Sequence, residues 1–207
     1  ESVKGIDGII GTRRWMDILE LVQELRADPQ TPRYHLPEAA TIGRDEHGVL
    51  RVSIQGTSAY LKIVDGCRRS CAFCSIPLIK GPPVSRPLQT IIQEAEVLQE
   101  NGIRELNLIA QDTTDYGSDL GIKDGLAALL DRLLPAIPYI PWVRILYAYP
   151  GFVSDRLIDV MSSSNQLLPY LDMPLQHAHP AMLKRMKRPS DVDWVQKTIT
   201  KMRERIP

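Results

Sequence analysis

From Ala59 to Arg205 short apolar strands alternate with amphipathic helical stretches, and this alternation most constrains the fold. Ala59 to Val64 reads as a compact strand. Leu88, Ile91, Ile92, Ala95 and Leu98 then recur on one helical face, with Pro87 in the first turn and Asn101-Gly102 as the stop. Ile103–Ala110 reads as a second strand, followed by a helix over 122–134 that ends at Pro135. Trp142–Tyr147 is a third strand, Ser154 caps a helix running through Met161, and Tyr170–Met173 is a fourth strand. Helices near Ala181–Met186 and Asp191–Arg205 complete the pattern. Alternation sustained over about 150 residues predicts an α/β fold with a parallel sheet and right-handed crossovers. An open doubly wound sheet and a partial β/α barrel both fit. Each gathers its chemistry at the carboxyl ends of the strands.

Upstream, Ile6–Ile10 reads as a strand, and Trp15, Ile18, Leu19, Val22 and Leu25 as a helix. The segment 29–48 is rich in proline, charge and turn residues and reads as a linker. Val49–Ile54 alternates as an edge hairpin strand. Formal net charge is zero, from 25 basic and 25 acidic residues, so no global field argues for nucleic acid or an anionic membrane. No apolar run reaches membrane-spanning length, and no membrane partner is expected.

All three cysteines fall in one loop after the strand Ala59–Val64: Cys67, Cys71 and Cys74, spaced C-x3-C-x2-C. A disulfide framework would leave one thiol over, so a reducing, cytoplasmic setting with metal-ligating thiolates fits. Three thiolates can hold three irons of a 4Fe-4S cubane and leave the fourth open for chemistry. A zinc-binding or scaffold module is the alternative of another class, with His177 or His179 as fourth ligand. The later strand ends bring Gln111-Asp112, Tyr147–Pro150 and Gln176-His177 to the same rim. Asp112-Thr113-Thr114-Asp115 is equally good turn chemistry. Tyr147 and His177 are pocket candidates, and no catalytic residue is assigned. Lys184, Arg185, Lys187 and Arg188 form a basic run that reads either as a solvated face or as a ribosome-docking patch.

C-x3-C-x2-C with Phe73 before the last cysteine resembles the radical S-adenosylmethionine superfamily. That likeness implies a TIM-barrel-like partial β/α barrel, a 4Fe-4S cluster, S-adenosylmethionine and an external electron donor. S-adenosylmethionine would chelate the open iron and be cleaved reductively. The resemblance puts Phe73, Gln111, Asp112 and Gln176 against the cofactor.

A narrower likeness rests on Ala59-Tyr60-Leu61-Lys62-Ile63, Asp65-Gly66-Cys67, Cys74-Ser75-Ile76-Pro77, Lys80-Gly81 and Ser85-Arg86-Pro87, which are similar to the methylthiotransferases. Leu108 to Thr114 and Pro174 to Pro189 resemble the branch that acts on a ribosomal protein more than the branch that acts on tRNA. This implies a methylthio group added to the β-carbon of an aspartate on a small-subunit ribosomal protein. Contact with nucleic acid would be indirect. Full-length members carry an auxiliary 4Fe-4S cluster whose ligands are absent from this chain. Residues 1–28 are therefore expected to be the end of the family's amino-terminal domain. Residues 49–207 are expected to be a radical domain truncated before its last strands, unable to complete the reaction alone.

Overall fold

The computed structural model describes residues 5–11, 17–36 and 53–206. Trp15, the segment 37–48 and the start of the strand expected at 49–54 lie outside the described residues. The chain divides into two compact units, 1–49 and 50–207.

The first unit is a small βαβ element: β1 (Gly8–Ile10), α1 (Ile18–Ala27) and β2 (Arg33–His35). β1 and β2 pair in parallel, Ile9 opposite Tyr34. The second strand falls inside the segment read as a linker. An Arg-Tyr-His strand has no apolar run to announce it. It is held by backbone bonds at both ends, Arg33 N–H to Asp7 O at 2.9 Å and Gly11 N–H to His35 O at 2.8 Å.

The second unit opens with a hairpin of β3 (Ser53–Gln55) and β4 (Ser58–Lys62). A short β5 (Val64–Asp65) follows, then α2 (Ile76–Lys80), β6 (Val84–Ser85), α3 (Leu88–Glu100), β7 (Glu105–Ile109), α4 (Gly125–Ala136) and β8 (Trp142–Ile145). The chain continues through α5 (Asp155–Ser163), β9 (Leu167–Leu171), α6 (Pro180–Arg185) and α7 (Val192–Arg205). The main sheet runs β3-β4-β7-β8-β9, and its last four strands are parallel. Each new strand adds beside the one before it. A doubly wound sheet would reverse at a switch point, so this order selects the partial β/α barrel.

Strand alternation assigns the two faces of the sheet. Ala59 and Leu61 of β4, Leu106 and Leu108 of β7, and Val143 and Ile145 of β8 are buried in the main core. They share that core with Ile91, Ala95 and Leu98 of α3, Leu129, Leu130 and Leu133 of α4, and Leu157 and Ile158 of α5. Each of the leucine, isoleucine and valine side chains contributes about 1.5–3 kcal/mol on burial. The positions of opposite parity carry polar groups. Arg144 donates twice to Glu105 Oε1, at 2.9 and 2.7 Å, and Ser58 donates to Glu105 Oε2 at 2.9 Å. The Arg144 guanidinium also lies 4.9 Å from the centre of the Tyr170 ring. On this face these polar groups link β4, β7 and β8 across the sheet.

Two boundaries differ from expectation. α4 continues through Pro135 to Ala136; the proline gives up one intrahelical bond, and the helix ends one residue later. The fourth parallel strand is Leu167–Leu171 rather than Tyr170–Met173. Pro169 disguises it in the sequence, but β9 is an edge strand with an irregular register against β8, where proline is tolerated.

Candidate functional site

The cysteine loop follows β4 and β5, with its bend at Gly66. β5 and β6 pair as a two-stranded ribbon at its base, Val64 opposite Ser85. Gly66 takes φ +80°, and a Cβ there would lie 2.2 Å from Pro82 O. Only glycine lets the two legs of the loop approach so closely. Cys67 N–H donates to Gly81 O at 3.0 Å, and Cys74 N–H to Cys71 O at 3.1 Å. At the far side Ala72 N–H donates to Met186 O at 3.0 Å, fastening the loop to the end of α6.

The loop is also held from within by ions. Asp65 is buried and faces Lys62 Nζ at 2.8 Å and Lys80 Nζ at 3.3 Å. Burial pushes its carboxyl up, but the two lysines outweigh it and hold the group below the usual range. Arg69 Nε donates to Asp112 Oδ2 at 2.8 Å. Its guanidinium stacks 4.5 Å from the Tyr149 ring centre and 3.7 Å from that of Phe152. Arg68 pairs with Asp115 at 2.5 Å.

All three cysteines are free. Arg69 N–H donates to Cys67 Sγ at 3.4 Å. Burial first, then the Asp112 and Cys71 charges, push the Cys67 thiol up despite that N–H. Cys71 Sγ lies 3.8 Å from the Tyr149 hydroxyl, whose pKa is pushed up to about 12 by burial and by that sulfur.

The thiols open onto a cavity of about 490 Å³. Its wall takes residues from the end of every parallel strand: Lys62 from β4, Ile109 to Gln111 from β7, Tyr147 and Tyr149 after β8, and Pro174 and Gln176 after β9. Arg69, Phe73, Ile76 and Arg188 complete it. Gln111 Oε1 is buried at this wall without a hydrogen-bond partner, an acceptor awaiting a donor. Tyr147 and Gln176 have φ of +59° and +73°. A non-glycine residue held there stores about 1–3 kcal/mol, and such strain gathers where side chains must be aimed at a ligand. At Tyr147 the strain is over-determined. Its N–H donates to Asp172 Oδ2 at 3.1 Å, and its carbonyl accepts from Thr113 N–H at 3.1 Å.

Of the residues singled out in the sequence, Cys67, Cys71, Cys74, Phe73, Gln111, Tyr147 and Gln176 meet at this cavity. Asp112 is 2% exposed and engaged with Arg69 and with the Thr114 hydroxyl at 2.5 Å, so it braces the loop. His177 is exposed outside the wall, its Nδ1 accepting the His179 N–H at 2.9 Å. His179 Nδ1 caps α6. Lys62 and Arg188 were not singled out for the pocket. A lysine closing a strand that ends at a motif loop was the available signal for the first.

Three free thiols on one loop suit a cubane, whose thiolate ligands stand apart at separate corners. Among the described residues no group of three or more His, Cys, Asp and Glu side chains is arranged around a single metal ion. The partnerless Gln111 oxygen suits an ammonium-bearing ligand beside the cluster. The donor set and the cavity therefore fit a cluster with a small polar cofactor.

Residues 61–207 match the family described as the Radical SAM superfamily, and the chain belongs to it. Among solved structures it is similar to the radical S-adenosylmethionine methyltransferase TsrM from Kitasatospora setae. That likeness has a TM-score of 0.55 at 19% identity and covers 70% of this chain and 28% of that one, a likeness of fold. In sequence it is similar to the ribosomal protein uS12 methylthiotransferases RimO. The protein of that name from Chloroflexus aurantiacus is 44% identical over 218 residues, covering 100% of this chain and 48% of the relative. That from Roseiflexus sp. is 44% identical over 223 residues, covering 100% and 47%. That from Symbiobacterium thermophilum is 41% identical over 206 residues, covering 100% and 42%. The chain spans about half the length of the curated relatives it matches.

Proposed function

We propose that this chain is the cofactor-cleaving part of a methylthiotransferase that modifies an aspartate β-carbon of ribosomal protein uS12. The observation that carries the reading is the convergence of three free thiols and the partnerless Gln111 oxygen on one cavity at the strand ends. The likeness to the RimO proteins over the whole chain supports the substrate. Cys67, Cys71 and Cys74 would ligate the cluster, and Gln111 and Gln176 would bind the cofactor's polar groups. When bound, the cluster supplies the electron, drawn from an external donor, that cleaves S-adenosylmethionine.

The residues around the thiols prepare that event. Arg68 and Arg69, paired with Asp115 and Asp112, anchor the cysteine loop against the segment after β7. Phe73 and Ile76 line the wall with apolar surface, which limits water at the reacting bond. Three thiols on one loop ligate one cluster, so we assign these residues to cofactor cleavage. Residues 49–207 form the radical domain in this reading, and the strand and helix within 1–28 belong to the part before it. Free thiols suit a reducing cytoplasm. Among the described residues no helix is long and apolar enough to cross a membrane.

The test is anaerobic reconstitution followed by iron and sulfide analysis. The expected result is a brown protein with about four irons per chain, lost in Cys71→Ala, that forms 5′-deoxyadenosine from S-adenosylmethionine under a strong reductant. A colourless zinc protein, or no 5′-deoxyadenosine, overturns the reading. Supplying uS12 or tRNA to a protein of the relatives' full length distinguishes the substrates.

A further inference from the structure

Arg188 closes a run of basic residues whose other members, Lys184, Arg185 and Lys187, are exposed. Arg188 itself is only 9% exposed. A guanidinium buried to that degree needs partners, and three converge on it. One Nη donates to Cys71 Sγ at 3.7 Å, and the other donates to the Pro174 carbonyl. The planar group lies 4.2 Å from the centre of the Tyr149 ring. The backbone aims it there. Lys187 takes φ +53°, turning the chain back after α6, and Arg188 N–H donates to Leu183 O at 2.9 Å. The Ala72 bond to Met186 O holds the cysteine loop against this same turn.

Cys71 therefore differs from Cys67. Its sulfur accepts from the Arg188 guanidinium and lies against the Tyr149 hydroxyl, whereas the Cys67 sulfur receives a backbone N–H. Reduction adds negative charge to a cluster and its sulfurs. Hydrogen bonds to those sulfurs and a nearby positive charge stabilise the reduced form more than the oxidised one. A guanidinium keeps its charge at every working pH, and at this depth salt screens it little.

We infer that Arg188 sets the reduction potential of the cluster held by Cys67, Cys71 and Cys74, and positions the Cys71 sulfur within it; this rests on the cluster reading above. Arg188 is a positioning residue. It ties the segment after the fourth parallel strand to the cluster loop and makes the cluster easier to reduce.

The experiment is an anaerobic redox titration, followed by electron paramagnetic resonance, of the reconstituted 207-residue chain beside Arg188→Gln, Arg188→Lys and Tyr149→Phe. Arg188→Gln is expected to keep its iron and to hold about tenfold less reduced cluster at a fixed potential, equal to about 59 mV for a one-electron couple. Arg188→Lys, which keeps the charge without the planar fork, is expected to fall between that variant and the wild type. Tyr149→Phe is expected to shift the midpoint less than Arg188→Gln. An iron-loaded Arg188→Gln that titrates with the wild type overturns the inference, as does loss of iron from both Arg188 variants. If only Arg188→Gln loses iron, a lowered midpoint in Arg188→Lys supports the inference and an unchanged one overturns it. A wild-type chain that takes up no iron overturns the cluster reading itself, and this inference with it.

Discussion

Replacing Gly66 by alanine probes the base of the cysteine loop directly. Three costs add. The left-handed backbone at φ +80° costs an alanine about 1–2 kcal/mol. The new Cβ would meet Pro82 O at 2.2 Å and Gly81 O at 2.8 Å. These are backbone atoms that cannot rotate aside, and such overpacking costs about 1–3 kcal/mol. Relieving the overlap pushes the two legs apart and weakens the Cys67 N–H bond to Gly81 O, worth about 0.5–1.5 kcal/mol. The sum is about 2.5–6.5 kcal/mol. Gly102 supplies the control. Its φ is +78°, and nothing lies within 4 Å of a Cβ built there, so Gly102→Ala carries the backbone cost alone. The difference between the variants is about 2–4 kcal/mol. With an m-value of about 2 kcal/mol/M, the urea midpoint of Gly66→Ala falls about 1–2 M below that of Gly102→Ala. Circular dichroism during urea unfolding reads the shift, and iron uptake should fall in the same variant. Equal loss of stability in the two alanine variants would refute the close approach of the loop's legs.

Three further perturbations follow from the packing. Arg69→Ala leaves buried Asp112 without its counter-charge and removes the stack on Tyr149 and Phe152, so a loss of about 3–5 kcal/mol is expected in urea unfolding. Arg69→Lys should restore less than half of it, because an ammonium cannot stack as a plane. Glu94→Ala removes the carboxylate paired with the buried Arg86 guanidinium at 2.5 Å, leaving the Nη1 bond to Lys62 O, and should cost about 3–5 kcal/mol; a loss under about 1 kcal/mol would show that water reaches that pair. Arg144 foremost, then Ser58, hold the Glu105 carboxyl below its ordinary value. A depressed folded pKa adds stability above the unfolded value of about 4.3, and that stability is lost as pH falls through the folded value. The thermal midpoint of the wild type should therefore exceed that of Glu105→Gln at neutral pH and converge on it below about pH 4. A gap that persists unchanged in acid would contradict this.

Much of the site was legible because strand–helix alternation places strand ends on one rim before any contact is known. Gln111, Tyr147 and Gln176 were found by position, and the cysteines by spacing. Asp112 was ambiguous for a physical reason: a carboxylate after a strand serves a cofactor or a neighbouring arginine equally well, and its partner Arg69 lies 43 residues away. His177 drew notice as a lone titratable group, yet it sits in a local turn with His179. Arg188 was hidden in a basic run, because its partner sulfur lies 117 residues earlier. β2 and β9 were misplaced where charge or proline outweighed pattern, since strand pairing comes from another strand.

The sequence by itself determined the alternation of elements, the three thiols of one loop and the glycine that begins it. Those are properties of near neighbours, set by side-chain spacing and backbone sterics. The order β4-β7-β8-β9, which separates a partial barrel from a doubly wound sheet, was decided only in three dimensions. So was the meeting of Arg188, Tyr149 and Cys71, because burying a cation depends on surfaces brought together from distant parts of the chain.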